Sequence, residues 1–168
     1  MIYINPIFEM KALLVDLATS TNGEEISLPN LGMETLHHVH AFDVAAAFLN
    51  AIENRSNCLG ESFHVVSEQA LTLRGYAISV AKWFGKEAMI DFLPWDDWRN
   101  TTNVTNAQLT WDHIAHSPNG SIEKAKRLLN YKPRYSSLQA IQEAITYHFA
   151  KDNFIEGFGS LKEKQITF

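Results

Sequence analysis

Five histidines lie in two groups whose spacing could hold a metal ion or line a polar pocket. His37, His38 and His40 share one short stretch, and His113 and His116 lie three residues apart. On a strand, His38 and His40 would share a face that excludes His37. A zinc site needs three or four converging ligands, and neither an HExxH motif nor an intervening carboxylate accompanies these histidines. We therefore predict no metal ligand and interpret these histidines as partly buried or pocket-lining residues.

A tryptophan group offers a second candidate surface. Trp95, Trp98 and Trp111 stand near the carboxylates of Asp96 and Asp97. Aromatic faces can pack on a sugar or another ring, and aromatic residues equally often cover the edge of a core. Both interpretations stay open. The residues predicted to contact a small-molecule substrate, possibly a sugar, are Leu28, Leu36, His38, His40, Trp95 and Trp98.

Composition limits the function classes. The 168 residues are 46% hydrophobic and 20% charged, values of an ordinary globular protein. Because the net charge is −5, we predict no nucleic-acid partner, which would require many phosphate contacts from Lys and Arg. Cys58 is the single cysteine, so an intramolecular disulfide is excluded. No apolar run has the length of a membrane helix and the N-terminus has no basic region, so we predict no membrane contact and a cytoplasmic location.

This sequence contains no motif that is typical of a nucleotide-binding loop or of a catalytic nucleophile. The eight glycines form neither GxGxxG nor GxxxxGK, and no GxSxG elbow occurs. Tyr147 and Lys151 stand four residues apart, so on a helix the ammonium could approach the phenol and favour its anion. We prefer the simpler interpretation of an amphipathic helix with Tyr147 on its apolar face. No catalytic or cofactor-binding residue is predicted in this chain.

The periodicity predicts an α/β or α+β chain with few, short strands. Asp43 falls in the first turn of a predicted helix that ends near Glu53, where a carboxylate suits the positive end of the helix dipole. As a helix-start residue, Asp43 should contribute on the order of 1 kcal/mol to stability. Other predicted helices start after Pro6, at Thr72, at Ser121 and at Ser136 or Ser137. The predicted strands are 24–28, 35–40, 62–66 and 88–93, and the segment 95–117 carries weak helical signals.

Five segments in order resemble the extended short-chain dehydrogenases/reductases, the NAD-dependent epimerase/dehydratase family. They are HVHAFDVAAA (38–47), GESFHVVS (60–67), LTLRGY with AKWFG (71–76 and 81–85), SIEKAKRLLNYKPRY (121–135) and SLQAIQEAI (137–145). Asn130 replaces a glycine that is usual in the fourth. The resemblance covers about residues 6–150 and the C-terminal part of the family only. It implies the C-terminal portion of a Rossmann-type protein, with a small sheet and several helices.

By that resemblance, residues 1–151 are a substrate-binding portion. Residues 152–168, which contain Gly157 and Gly159, are predicted to be a flexible tail. The whole family protein would transfer hydride to and from NAD or NADP, while the glycine loop and the catalytic Tyr-x-x-x-Lys would lie upstream of this chain. Tyr147 and Lys151 do not match that pair. Many members place arginines near Thr35 and near residues 114–118 to hold a substrate diphosphate. None is present here, so a smaller or less charged substrate is as consistent as a nucleotide sugar.

Three hypotheses follow. The leading one is the substrate-binding part of an NAD(P)-dependent epimerase, dehydratase or reductase, inactive as this chain alone and without a bound cofactor. The second is a non-catalytic binding or scaffold domain derived from that family, and the third is a metal-assisted enzyme that uses both histidine groups. Apolar faces that pack on an absent half would be uncovered. We therefore expect the helix 6–18 or the helix 43–53 to lie in an interface, through self-association or packing on an N-terminal half.

Overall fold

A computed structural model describes residues 25–83, 85 and 87–152. The helix predicted after Pro6, and with it the interface predicted for residues 6–18, lies outside these residues. So does the predicted flexible tail, apart from Asp152, which is the last residue of the final helix.

Strands and helices alternate irregularly along the described chain. In order they are β1 (Ile26–Pro29), β2 (Thr35–Leu36), α1 (Ala41–Glu53), α2 (Arg55–Cys58), β3 (Leu71–Thr72), α3 (Leu73–Trp83), β4 (Ile90–Leu93), α4 (Trp95–Trp98), α5 (Val104–Ile114), α6 (Glu123–Leu129) and α7 (Ser137–Asp152). Strands β1 and β4 pair in parallel, and β2 and β3 pair antiparallel. The predicted α/β class, with a small sheet and several helices, is confirmed.

The parallel pair forms because both strands are apolar. Ile26 faces Ile90 and Leu28 faces Phe92 across the ladder. Parallel strands cannot be joined by a tight turn, and the intervening chain carries α1 to α3 before β4 returns. The strand predicted over 24–28 is thus found as Ile26–Pro29, and the one predicted over 88–93 as Ile90–Leu93.

Two hydrophobic clusters organise the helices around these strands. The sheet cluster is built on β1, β2, α3, α5 and α7; its buried members are Ile26, Leu28, Leu36, Leu73, Tyr76, Ala77, Val80, Ile114 and Ile141. The helix cluster joins α1 to α6 and the connector that follows α6; its buried members are Ala47, Ile122, Ala125, Leu129 and Tyr131. The segment 62–66 packs on the helix cluster through Phe63, Val65 and Val66.

Local signals fix the helix ends. Ser136 caps α7 in a capping box, since its hydroxyl accepts from the Gln139 N–H at 3.2 Å while the Gln139 side chain accepts from the Ser136 N–H at 2.9 Å. The Thr72 hydroxyl accepts from the Gly75 N–H at 3.0 Å at the start of α3. Asn130 ends α6 with φ +53°, a left-handed conformation that Asn tolerates. Asn130 can therefore adopt the conformation for which the glycine of the resembling segment is suited.

Two strand predictions are wrong in the described part of the chain. Residues 62–66 form no ladder: the Val66 carbonyl accepts from the Tyr131 hydroxyl and the Ser67 N–H donates to the His38 carbonyl, which are isolated bonds to loops. The strand predicted over 35–40 stops at Leu36, because the histidine stretch bonds to loop backbone and to the start of α1. The segment 95–117, with its weak signals, holds the two helices α4 and α5.

Candidate functional site

The stretch His37–His40 links β2 to α1 and contacts three distant parts of the chain. His37 is fixed by two backbone groups: its Nε2 lies 2.9 Å from the Ser67 carbonyl oxygen and its Nδ1 lies 3.0 Å from the Gly120 nitrogen. The geometry assigns a neutral ring that donates through Nε2 and accepts through Nδ1. Burial lowers the pKa of His37, and only part of that effect is offset by the bond to Ser67. His37 thus clamps the loops 67–69 and 118–120 to this stretch.

His38 is the most perturbed histidine of the stretch. Burial, together with the smaller effects of the neighbouring His113 and His37, lowers its pKa from 6.5 to about 4. Its Nδ1 is buried and makes no hydrogen bond with the part of the chain that the structure describes. A buried polar atom without a partner costs free energy unless a ligand or water satisfies it. His38 therefore offers an uncharged hydrogen-bonding group at neutral pH.

His40 has both ring nitrogens engaged. Nδ1 accepts from the Phe42 N–H at 3.1 Å and so caps α1, and Nε2 lies 2.8 Å from Oε2 of Glu143 on α7. Its ring stacks on Tyr135 with centroids 3.8 Å apart. These contacts give His40 a positioning role between α1, α7 and the connector, and they leave its ring nitrogens no free position for a ligand.

A buried pair of serines lies behind the histidine stretch. The hydroxyls of Ser67 and Ser137 are 2.6 Å apart, and each lies 2.9 Å from the Gln69 carbonyl oxygen. Both residues are buried. Since each hydroxyl carries one proton, one can donate to Gln69 and the other to its partner. Both hydroxyl protons therefore have an acceptor, and the pair joins α7 to the loop after 62–66.

The remaining predicted substrate contacts lie in or against the sheet cluster. Leu28 and Leu36 are core residues, and Trp98 is buried, with its Nε1 donating to the Ser27 carbonyl at 2.8 Å. Trp95 is half-buried against the same cluster, and its ring centroid lies 5.4 Å from that of Trp98 and 5.0 Å from that of Trp111. Here the core-edge interpretation holds for Trp98, while Trp95 and the 45%-exposed Trp111 present an aromatic surface.

Asp43 lies in the first turn of α1, as its sequence position indicates, and is 1% exposed. Its carboxylate accepts from the Arg134 N–H at 2.9 Å and the Tyr135 N–H at 3.2 Å. Those donors belong to the connector before α7 and not to the first turn of α1, which is capped by His40. Asp43 is thus a tie between two distant segments as well as a helix-start residue.

The alternative chemistries receive no structural support from the described residues. Within 25–83, 85 and 87–152, no group of three or more His, Cys, Asp or Glu side chains could hold a metal ion. His113 and His116 lie at the end of α5 and just after it. Tyr147 and Lys151 both lie in α7. In the same described part, no helix is long and apolar enough to cross a bilayer.

Three features of this region gave no recognisable sequence signal. The Tyr76 hydroxyl and Oε2 of Glu34 are buried without a hydrogen-bond partner among the described residues, and burial raises the pKa of Tyr76. Ser67 and Ser137 meet across 70 residues. A buried phenol on an apolar helix face looks like any core aromatic, and a contact between distant serines has no spacing to recognise.

Solved structures of two NAD complexes share this fold. UDP-glucuronic acid 4-epimerase from Bacillus cereus matches 84% of this chain and 39% of its own, with a TM-score of 0.55 and 16% identity. dTDP-glucose 4,6-dehydratase from Bacillus anthracis matches 85% of this chain and 40% of its own, with a TM-score of 0.55 and 14% identity. The chain therefore has the fold of part of these two proteins. The predicted resemblance is confirmed at the level of fold.

One curated relative also matches. The chloroplast stem-loop binding protein of 41 kDa b of Arabidopsis thaliana is 26% identical over 136 residues, which are 79% of this chain and 34% of that protein. No protein-family profile matches the sequence. This chain therefore spans about two fifths of the solved structures and one third of the curated relative.

Proposed function

We propose that this chain is the substrate-side part of an NAD(P)-dependent epimerase, dehydratase or reductase. The observation that carries the proposal is the fold match: most of this chain superposes on about two fifths of two enzymes solved with NAD. A dinucleotide needs backbone amides presented by a glycine-rich turn at a helix N-terminus, and these residues contain no such motif. We therefore assign the cofactor to sequence outside these 168 residues, and we expect no activity from this chain alone.

His38 is the group best suited to bind a substrate polar atom. Its Nδ1 is buried and without a partner in the described residues, and a pKa of about 4 keeps it uncharged at neutral pH. An uncharged imidazole suits a hydroxyl or carbonyl, whereas a diphosphate would need cations. Together with the Trp95 and Trp111 surface, this favours a sugar or another small neutral molecule over a nucleotide diphosphate sugar. The roles of Leu28, Leu36, His40 and Trp98 in this proposal are to position the site.

The substrate assignment is tested by titrating the chain with UDP-glucuronic acid, dTDP-glucose and the corresponding free sugars while the histidine ring signals are followed by NMR. The expected result is a shift of the His38 signals with the free sugars. The backbone amide shifts that accompany sugar binding should be lost in His38→Gln and retained in His116→Gln. His116 is a matched control because it is an exposed histidine outside the stretch His37–His40. Shifts that are larger with the nucleotide sugars and insensitive to His38→Gln would overturn the assignment.

The second candidate is a non-catalytic binding domain of the same descent. It is favoured by the curated relative, whose name describes stem-loop binding and no catalysis. Nucleic acid itself is disfavoured for this chain, since the net charge is −5 and the ammonium groups of Lys124 and Lys126 are paired with glutamates at 2.6 Å. Fluorescence anisotropy with an RNA stem-loop at low salt distinguishes the candidates: saturable binding that weakens with added salt would replace the leading proposal.

The two candidates also differ in the cellular compartment that they suggest. A cytoplasmic location stays a prediction from the sequence, while the curated relative is named as chloroplastic. Localisation of a tagged chain in its own cell decides between them without reference to activity.

A further inference from the structure

The connector between α5 and α6 includes a strap, residues 118–121, that lies against the histidine stretch. Within the part of the chain that the structure describes, no backbone–backbone hydrogen bond joins the strap to another segment. Three side chains bond to its backbone instead: the Thr35 hydroxyl donates to the Pro118 carbonyl at 3.0 Å, Nδ1 of His37 lies 3.0 Å from the Gly120 nitrogen, and Nδ1 of His64 lies 3.3 Å from the Ser121 carbonyl oxygen. Two of the three groups that hold the strap are therefore histidines, whose charge can change between about pH 5 and pH 8.

His37 bonds to the strap in one protonation state only. The Ser67 carbonyl can only accept a hydrogen bond, so Nε2 of His37 carries the ring proton in this contact. The Gly120 N–H can only donate, so Nδ1 of His37 is unprotonated. A second proton on the ring would place an N–H of His37 against the N–H of Gly120. The protonated ring therefore keeps its bond to Ser67 and loses its bond to Gly120.

His64 packs on the same glycine of the strap. A Cβ on Gly120 would lie 3.2 Å from the His64 ring, so the glycine allows this ring to approach the strap. Because the Ser121 carbonyl accepts, His64 donates through Nδ1 whether its ring is neutral or charged. Burial lowers the pKa of His37, the bond to Ser67 offsets part of that effect, and the nearby His64 lowers the pKa again. The cationic form of His37 is thus disfavoured while the strap is bound.

The other charged groups on the elements around His37 pair with one another. Glu68 and Glu123 contact Nζ of Lys126 at 2.6 and 3.0 Å, and Glu61 contacts Nζ of Lys124 at 2.6 Å. His38, the next residue of the stretch, is uncharged above its pKa of about 4, and His113 of α5 lies near it. The carboxylates of these elements are thus engaged by lysines. Protonation of His37 therefore costs the bond to Gly120 without forming an ion pair in this arrangement.

We propose that His37 is a pH-sensitive latch, which holds the strap through Gly120 when its ring is neutral and releases Gly120 when its ring is protonated. Thr35 and His64 can keep their bonds to the strap in both states, so the release is confined to the centre of the strap. Because the pKa of His37 is lowered from 6.5 in the folded chain, the latch is closed at neutral pH and opens as the pH falls through that lowered value. The proposal does not depend on the substrate or cofactor assignment.

Hydrogen exchange of the Gly120 amide, measured by NMR on the full chain from about pH 7.5 to about pH 4.5, tests the latch. Each rate is divided by the intrinsic exchange rate at the same pH, so that only protection by structure is compared. The expected result is that protection at Gly120 falls about fivefold or more as the pH is lowered, which corresponds to the loss of one hydrogen bond. The amide of Val80, a buried residue of α3, reports unfolding of the core and should stay better protected than Gly120 throughout.

Two substitutions of His37 separate the strap bond from the fold. In His37→Asn the side-chain carbonyl can replace Nδ1 as the acceptor for Gly120 and does not titrate, so the protection of Gly120 should be independent of pH. In His37→Gln the longer amide reaches toward Ser67 and leaves Gly120 without its acceptor, so protection should be low at every pH. His116→Gln, at an exposed histidine outside the strap, is the control and should keep the profile of the parent chain.

The titration of the His37 ring signals gives an independent measurement, because Gly120 should lose protection at the pH at which that ring is protonated. Circular dichroism confirms that each variant is folded. Protection of Gly120 that is the same at both ends of the pH range in the parent chain would overturn the proposal. A loss of equal size in His37→Asn would also overturn it, since the proton would then act on a group other than the His37 ring.

Discussion

The two hydrophobic clusters differ in how completely the elements that cover them are shielded from solvent. The sheet cluster holds large side chains with almost no exposure, such as Leu28 and Tyr76, and Trp98 is buried on β1 with its indole nitrogen bonded to Ser27. The helix cluster also buries large side chains, such as Leu129 and Tyr131, but the helix α1 that covers it leaves the apolar side chains of Phe48, Leu49 and Ile52 exposed. The sheet cluster is complete within the described chain. In the helix cluster, only the inner side of α1 is buried. A binding partner is therefore expected on the exposed outer side of α1.

The largest expected effect contrasts one aromatic residue from each region. Trp98→Ala removes a buried ring and leaves the Ser27 carbonyl without its donor, so the free energy of unfolding should fall by about 4 kcal/mol. Phe48→Ala removes an exposed ring and should change that free energy by no more than about 0.5 kcal/mol. Urea denaturation at low chain concentration measures both. Equal losses for the two variants would contradict the contrast between a closed and an open cluster.

The second effect concerns the tie between α1 and the connector. Asp43→Ala leaves the Arg134 and Tyr135 N–H groups without their charged acceptor in a buried site, and we expect a loss of about 3 kcal/mol. This exceeds the roughly 1 kcal/mol of a helix-start residue alone. Asp97→Ala is the control, since Asp97 is an exposed carboxylate in the first turn of α4. If the two variants melt at the same temperature, the tie contributes nothing.

The third effect is a pH dependence of stability that arises from His38. The pKa of His38 falls from 6.5 in the unfolded chain to about 4 in the folded chain. Between those values the unfolded chain binds the proton first, so stability is complete above pH 6.5 and falls as the pH is lowered toward 4. His38→Gln should reduce this slope by up to about 1.4 kcal/mol per pH unit. Unfolding titrations across that window check it, and an unchanged slope in His38→Gln would disprove the assignment.

The smallest effect belongs to the capping box of α7. Ser136→Ala removes the acceptor for the Gln139 N–H and should cost about 1 kcal/mol. Ser56→Ala, at an exposed serine in α2, should be neutral within about 0.5 kcal/mol. Thermal unfolding of the two variants in parallel separates a cap from an ordinary surface serine.

Local chemistry made most of the fold predictable. The capping residues Thr72 and Ser136, and the apolar runs that became β1 and β4, act through neighbours a few positions away, and such signals can be read from one sequence. For residues 62–66, the local signals gave a wrong prediction. Their β-branched and aromatic composition suits a strand, but a ladder requires a second strand, and the described chain supplies only single bonds from Ser67 and to Val66. Strand formation depends on a partner that composition does not reveal.

The candidate site was less predictable because its contacts are long-range. His38 and His40 stand two residues apart, and yet one is buried with an unpaired nitrogen and the other caps α1 and contacts Glu143, 103 residues away. Alternation along a strand would have given them equal roles. Trp98 and Trp95 also separate, one into the core and one to its edge. Burial depth and distant hydrogen bonds decided these roles, and neither is encoded in local spacing.

Our central proposal is that these 168 residues hold the substrate side of an NAD(P)-dependent enzyme and that the dinucleotide site lies outside them. Isothermal titration calorimetry of the chain with NAD⁺, NADH, NADP⁺ and NADPH tests it most directly, at chain concentrations well above the micromolar range. The account predicts no saturable heat with any of the four. A micromolar dissociation constant for one of them would contradict it, because the chain would then build a dinucleotide site without a glycine-rich turn.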